Sequence, residues 1–177
     1  MSSSTTSCEA QNSTDEARKP SDAELQLVTF QLGAEEFGFD IAQVQEIIRM
    51  QPLTRVPNSA SFVQGVINLR GSVIPTLSLR KRLGLEERPS GRETRIIIVE
   101  TQGSVLGLIV DQVAEVVRLR WEMVEAPPRL QNTSQEYVTG VARVGQRLLI
   151  VLDINRIMND ETCHIATRNT EQSAGGS

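Results

Sequence analysis

The chain has 177 residues, enough for one domain or two small ones. Its net charge of −4 and sequence pI near 5.1 exclude a global basic balance of the kind that draws a protein to nucleic acid or anionic lipid. Hydrophobic residues make up 39% and aromatics only 3%, so the core must be built from Val, Ile and Leu, which suit pleated surfaces.

Residues 1–23 are Ser, Thr, Asp, Glu, Lys and Pro with almost nothing apolar, and are predicted to be a disordered leader. The start lacks the basic and apolar regions of a secretory signal, and no apolar run reaches 18 residues. Cys8 and Cys163 lie in polar end segments and read as free thiols. Together these features predict a soluble cytoplasmic protein.

Ordered structure is predicted from residue 24 to 159, with a flexible tail over 160–177. Leu25 to Leu32 reads as a strand, Gly33 to Glu36 as a polar turn, and Phe37 to Ile41 as the returning strand. Ala42 to Met50 carries Val44, Ile47 and Ile48 at helical or short-turn spacing. Pro52 and Pro57 mark an exposed loop. Phe62 to Leu79 holds two apolar runs around Leu69-Arg70-Gly71-Ser72 and predicts a core β-hairpin. Arg80 to Leu85 suits a short helix, and Glu86 to Glu93 a charged loop. Arg95 to Glu100 is a strand with four consecutive apolar residues, Ile96 to Val99, turned by Gln102-Gly103 into Ser104 to Val110. Tyr137 to Val144 and Arg147 to Leu152 form a second hairpin around Gly145-Gln146, and Asp153 caps a short helix to Met158.

The order exposes an internal repeat. Gly38 and Gly107, Val44 and Val113, and Glu46 and Glu115 share one spacing of 69 residues. Val63 and Val138, and Leu77 and Leu152, share a spacing of 75, with the six extra residues falling in the Pro127-to-Gln135 loop. Two similar β units are expected, each with about five strands and a short helix. Each half is too small to bury a core comfortably alone, so the two should pack together and leave a seam. The apolar surplus assigned to that seam is Val44, Ile47 and Ile48 in one half and Val113, Val116 and Val117 in the other.

No constellation supports catalysis. His164 is the sole histidine, and with Cys163 beside it there is no ligand set at zinc spacing. Phosphate-cradling glycine loops and nucleophile elbows are absent from the sequence. No cofactor or metal is expected. The basic residues Arg80, Lys81, Arg82, Arg88, Arg92 and Arg95 read as a solvated face, or alternatively as the phosphate patch of a small β-barrel nucleic-acid binder, although stacking aromatics are missing nearby. Glu46 and Glu115 are polar residues of an amphipathic segment or the edge of a docking ledge. A guanidinium is almost never buried unpaired, so Arg70 faces water, an intramolecular carboxylate or a partner. Gly145 stands at its repeat position, which makes a purely scaffolding role less expected.

Val44-Gln-Glu-Ile47, Val63-Gln-Gly-Val-Ile-Asn-Leu-Arg-Gly71, Ile74-Pro75, Val110-Asp-Gln-Val113 and Leu149-Ile-Val-Leu-Asp-Ile154 resemble the CheW chemotaxis coupling proteins, over roughly Leu25 to Met158. The resemblance implies an all-β fold of two packed five-stranded β-barrel subdomains, similar to Src-homology-3 barrels, with short helices. It implies a non-catalytic adaptor that links chemoreceptor cytoplasmic tips to the regulatory domain of the histidine kinase CheA, in arrays at the inner membrane and without membrane insertion. Partner-contact positions of the family fall on Val44, Glu46, Gly65, Arg70, Gly107, Val113 and Val116, with the seam as the receptor groove. Ser78 departs from the family, where an acidic residue is frequent, so a contact there is expected to be lost.

Overall fold

In the computed structural model, residues 24–127 and 136–158 are described. The predicted leader and tail lie outside them, as do Cys8, Cys163, His164 and most of the Pro127-to-Gln135 loop. The apolar runs become strands β1 (Glu24–Leu32), β2 (Glu35–Asp40), β3 (Val44–Arg49), β4 (Val63–Leu69), β5 (Ser72–Ser78), β6 (Arg95–Thr101), β7 (Ser104–Val110), β8 (Gln112–Arg120), β9 (Val124–Glu125), β10 (Val138–Val144) and β11 (Arg147–Leu152). Two short helices follow the hairpins, α1 (Leu79–Arg82) and α2 (Ile154–Met158). The Ser78 hydroxyl accepts from the Lys81 amide, and Asp153 Oδ1 accepts from the Asn155 amide at 2.9 Å. Ser78 and Asp153 are repeat equivalents, so the serine keeps the capping role that an acid fills in the second half.

Val44, Ile47 and Ile48 do not lie on a helix. Only Ile41–Gln43 form a 3-10 turn, capped by Asp40, and β3 follows at once. Exposure alternates along β3, with Val44, Glu46 and Ile48 more covered than Gln45, Ile47 and Arg49. The repeat-equivalent stretch of the second half is strand β8.

The strands form two antiparallel-rich sheets, β8-β1-β2-β11-β10-β9 and β3-β6-β7-β5-β4. Among the described residues no ladder closes either sheet into a barrel. Each sheet has one parallel junction, with Gly38 opposite Val151 and Gly107 opposite Thr76. These two pairs interconvert under the repeat spacings, so the duplication seen in sequence is real in three dimensions. Its partition differs from the expectation that each half makes one unit. β1 and β2 pair with β8 and β11 of the second half, while β6 and β7 pair with β3 and β5 of the first. Each lobe therefore takes its leading hairpin from one repeat and its remaining strands from the other. The three-residue turn after β2 delivers β3 to β6 instead of returning it to its own hairpin. One lobe, β3 to β7, is continuous in sequence. The other is split around it, and the chain crosses between lobes at Ile41–Gln43 and at Asp111.

The largest apolar cluster lies where the lobes meet. It takes Phe30, Phe37 and Phe39 from one lobe and Phe62, Leu77, Ile97, Val99, Leu106 and Leu108 from the other, with Ile154 and Ile157 of α2. Smaller clusters fill each lobe, around Leu27, Val117 and Leu149 in one and Ile67, Ile74, Ile96 and Ile98 in the other. The continuous run Ile96 to Val99 is thus explained, because β6 buries one face inside its lobe and the other in the seam. Aliphatics are not the whole core. All four phenylalanines are buried in the seam, and Phe30 stacks on Phe37 and tilts against Phe39, with ring centroids 6.0 and 5.1 Å apart. Of the six residues assigned to the seam from sequence, only Val44 and Val113 pack on this cluster; Ile47 and Val116 are exposed at 41% and 49%, and Ile48 and Val117 face the interiors of single lobes.

Candidate docking surface

Arg70 and Gly71 form the two-residue turn between β4 and β5, both with positive φ, +51° and +85°. Glycine adopts that conformation freely, but an arginine there is strained by about 1–2 kcal/mol. Asn68 Oδ1 accepts from the Gly71 amide at 3.0 Å and holds the turn. The tight turn projects the Arg70 side chain outward, leaving it 78% exposed. Its Nη2 donates to Glu46 Oε2 at 3.0 Å. Glu46 lies on β3, one edge of the sheet, and Arg70 at the tip of the hairpin that forms the other edge, so the sheet is strongly rolled. The intramolecular carboxylate is found: Arg70 is ion-paired to Glu46 within the chain, and most of its side chain still faces solvent.

Beside this pair lies a groove of about 370 Å³, lined by Glu46, Arg70, Ser72, Val73, Gly103 and Val105. Val73, which lines it, is 43% exposed. The other lobe carries the repeat-equivalent groove, larger at about 860 Å³, lined by Ala34, Glu36, Arg147, Leu148 and Ile150 among others. Leu148, equivalent to Val73, is 59% exposed.

Glu115, the equivalent of Glu46, also has an arginine. Arg147 Nη2 donates to its Oε1 at 2.8 Å, and Arg147 Nη1 lies 3.3 Å from both Glu36 carboxylate oxygens. Repeat spacing pointed to Gly145 and so missed Arg147. The second arginine approaches its glutamate from the strand after the turn, two residues further on, and the signal was an arginine on the opposite arm of the same hairpin.

The other expected contact positions divide by burial. Gly65 is buried with φ +151°, and a Cβ there would lie 2.4 Å from Thr54 O, so it exists to let the Thr54 bridge approach β4. Gly107 is buried too, and a Cβ would come within 2.7 Å of Ile96 Cγ2. Neither glycine offers a side chain to a partner. Val44 and Val113 border the seam, and Val116 stands exposed on the edge strand β8 of the other lobe. Glu46 and Arg70 touch directly, with Gly107 buried inside their sheet, while Val113 and Val116 lie on β8 of the other lobe.

The basic cluster is largely engaged within the chain. Arg80 pairs with Asp111, and Lys81 Nζ lies 2.8 Å from Glu87 Oε1. The Arg82 guanidinium sits 4.8 and 4.7 Å from the Phe62 and Tyr137 ring centroids and donates to Ile157 O. Arg95 donates to the carbonyls of Arg92 and Thr94. This geometry disfavours a phosphate-tracking surface. Arg80 and the Gly33 amide, which both bond its carboxylate, hold the Asp111 carboxyl below its ordinary range against the opposing effect of burial. Among the described residues no group of three His, Cys, Asp or Glu could hold a metal ion, and no helix is long and apolar enough to cross a membrane.

Residues 26–162 match the CheW-like domain. A chemotaxis protein CheW from Treponema pallidum is 39% identical over 145 residues, covering 79% of this chain and 85% of the relative. One from Bacillus subtilis is 34% identical over 141 residues, covering 79% and 90%. The crystal structure of a scaffolding protein, TtCheW from Thermoanaerobacter tengcongensis, superposes with a TM-score of 0.73 at 34% identity, covering 79% of this chain and 91% of that one.

Proposed function

Because the chain belongs to the CheW-like family, we propose that it works as the coupling scaffold of a chemotaxis pathway, joining chemoreceptor cytoplasmic tips to the regulatory domain of the histidine kinase CheA without chemistry of its own. The observation that carries this reading is Arg70, strained into a left-handed turn, ion-paired to Glu46 and still 78% exposed beside a groove lined by both polar and apolar residues. A residue kept at a conformational cost while contributing little to the fold points to a role outside the fold. An exposed charge next to Val73 suits a partner surface that combines an apolar ridge with an acidic or hydrogen-bonding side chain. Val44, Glu46, Arg70, Val113 and Val116 are the proposed contacts; Gly65 and Gly107 act by shaping the strands beneath them. In this reading the protein is recruited to receptor arrays at the inner membrane through its partners.

The test measures binding of the full-length protein to a CheA regulatory-domain fragment and to a chemoreceptor tip fragment, by calorimetry. Submicromolar to micromolar binding of both, weakened by Arg70→Ala, supports the reading. Binding of neither fragment refutes it.

A further inference from the structure

Hydrophobic burial across the seam between the lobes is itself non-directional. Directional contacts across the seam are few: Arg82 on α1 donates through Nε and Nη2 to Ile157 O on α2, and two further contacts sit at repeat-equivalent places. Arg80 on α1 grips Asp111 through two nitrogens, with Nε 2.7 Å from Oδ1 and Nη2 against Oδ2. Asp111 is itself fastened to the opposite lobe: Oδ2 accepts from the Gly33 amide at 2.9 Å, and the Asp111 amide donates to Gln31 O at 3.2 Å. Arg80 Nη1 is anchored to Glu86 O. At the repeat position of Arg80 stands Asn155 on α2, whose Oδ1 accepts from the Thr101 hydroxyl at the far turn of β6. One latch is a partly buried, two-pronged ion pair; the other is a single neutral hydrogen bond.

Asp111 is also one of the two points where the chain crosses between lobes. A crossing segment of one residue between β7 and β8 is a natural pivot, and the ion pair clamps that pivot. We propose that the Arg80–Asp111 pair sets the angle between the two lobes, making Arg80 and Asp111 positioning residues. The bidentate fork supplies the direction that apolar packing lacks. The neutral Asn155–Thr101 bond closes the other side without fixing the angle. A consequence for partner affinity rests on the coupling reading above; the lobe angle does not.

The experiment records residual dipolar couplings on the full-length protein, which report the orientation of both lobes in one frame. In wild type the lobes fit a single orientation. In Asp111→Asn each lobe should keep its internal geometry while the two rotate relative to each other. Thr101→Val should leave the angle unchanged. Arg80→Lys, which keeps the charge but loses the fork, should rotate the lobes in the same sense and serves if Asp111→Asn does not fold. Unchanged orientation in the Asp111 and Arg80 variants, or an equal rotation in Thr101→Val, overturns the assignment. Affinity for a chemoreceptor tip fragment should fall about tenfold with the rotation. If wild type binds no such fragment, the coupling reading fails while the dipolar couplings still decide the latch.

Discussion

Cutting the chain in the charged loop, into residues 22–90 and 91–160, should leave two fragments that fold only together. The cut severs the pairings of β1 with β8, β2 with β11, β3 with β6 and β5 with β7. Each fragment keeps isolated hairpins, which are marginal in water. It also divides the buried seam cluster evenly, nine residues from Phe30 to Leu83 on one side and nine from Ile97 to Met158 on the other. At roughly 2 kcal/mol for each buried side chain, each fragment exposes on the order of 20 kcal/mol of apolar burial, more than the 5–15 kcal/mol net stability of an ordinary domain. Amide NMR spectra of each fragment alone should be collapsed, and dispersion should return on mixing. A dispersed, cooperative spectrum from either fragment alone would refute the shared-seam reasoning. Residues 44–110 form the natural comparison, because that piece keeps one whole sheet and should retain more structure than either half.

Arg70→Gly should hold or raise thermal stability, since relief of the left-handed strain offsets an exposed ion pair of about 0.5 kcal/mol, while partner affinity falls by about 2 kcal/mol, or thirtyfold; equal affinity for both partner fragments counts against the docking surface. Gly107→Val should cost about 1–3 kcal/mol through overpacking against Ile96, read as a lowered denaturation midpoint. Asp111 has a depressed pKa in the fold, so its contribution is present above the ordinary carboxylate range near pH 4 and is lost as pH falls through the lower folded value. Acid titration of Asp111→Asn should therefore show a flatter low-pH limb than wild type, and identical limbs would assign that loss elsewhere.

Legibility differed along the chain for physical reasons. The hairpin of β4 and β5 was plain because its apolar density and turn residues agree. β3 was hidden because a charge, Glu46, occupies the covered phase and Ile47 the exposed one, leaving Val44, Ile47 and Ile48 at a spacing that fits a helical turn. Glu46 stands there partly exposed to solvent and ion-paired to Arg70 from the far edge of the sheet. The repeat was readable, but its exchange of hairpins was not, since pairing between distant strands leaves no local periodicity. The family resemblance, carried by motifs that run through both halves, holds in the comparisons. Arg147 escaped notice because equivalence in space tolerated a two-residue displacement that equivalence in sequence did not.

The split lobe has a mechanical consequence. β1 enters and β11 leaves at the same end of one sheet, on either side of β2, so the entry and exit points are only about 10 Å apart. Tension between a tether before β1 and one after α2 would peel strands bond by bond from that end instead of shearing whole ladders at once. The inserted lobe would carry no load until its host had opened. A scaffold hung between two moving partners by these ends would yield in steps, its outer lobe first, with β3 to β7 held in reserve.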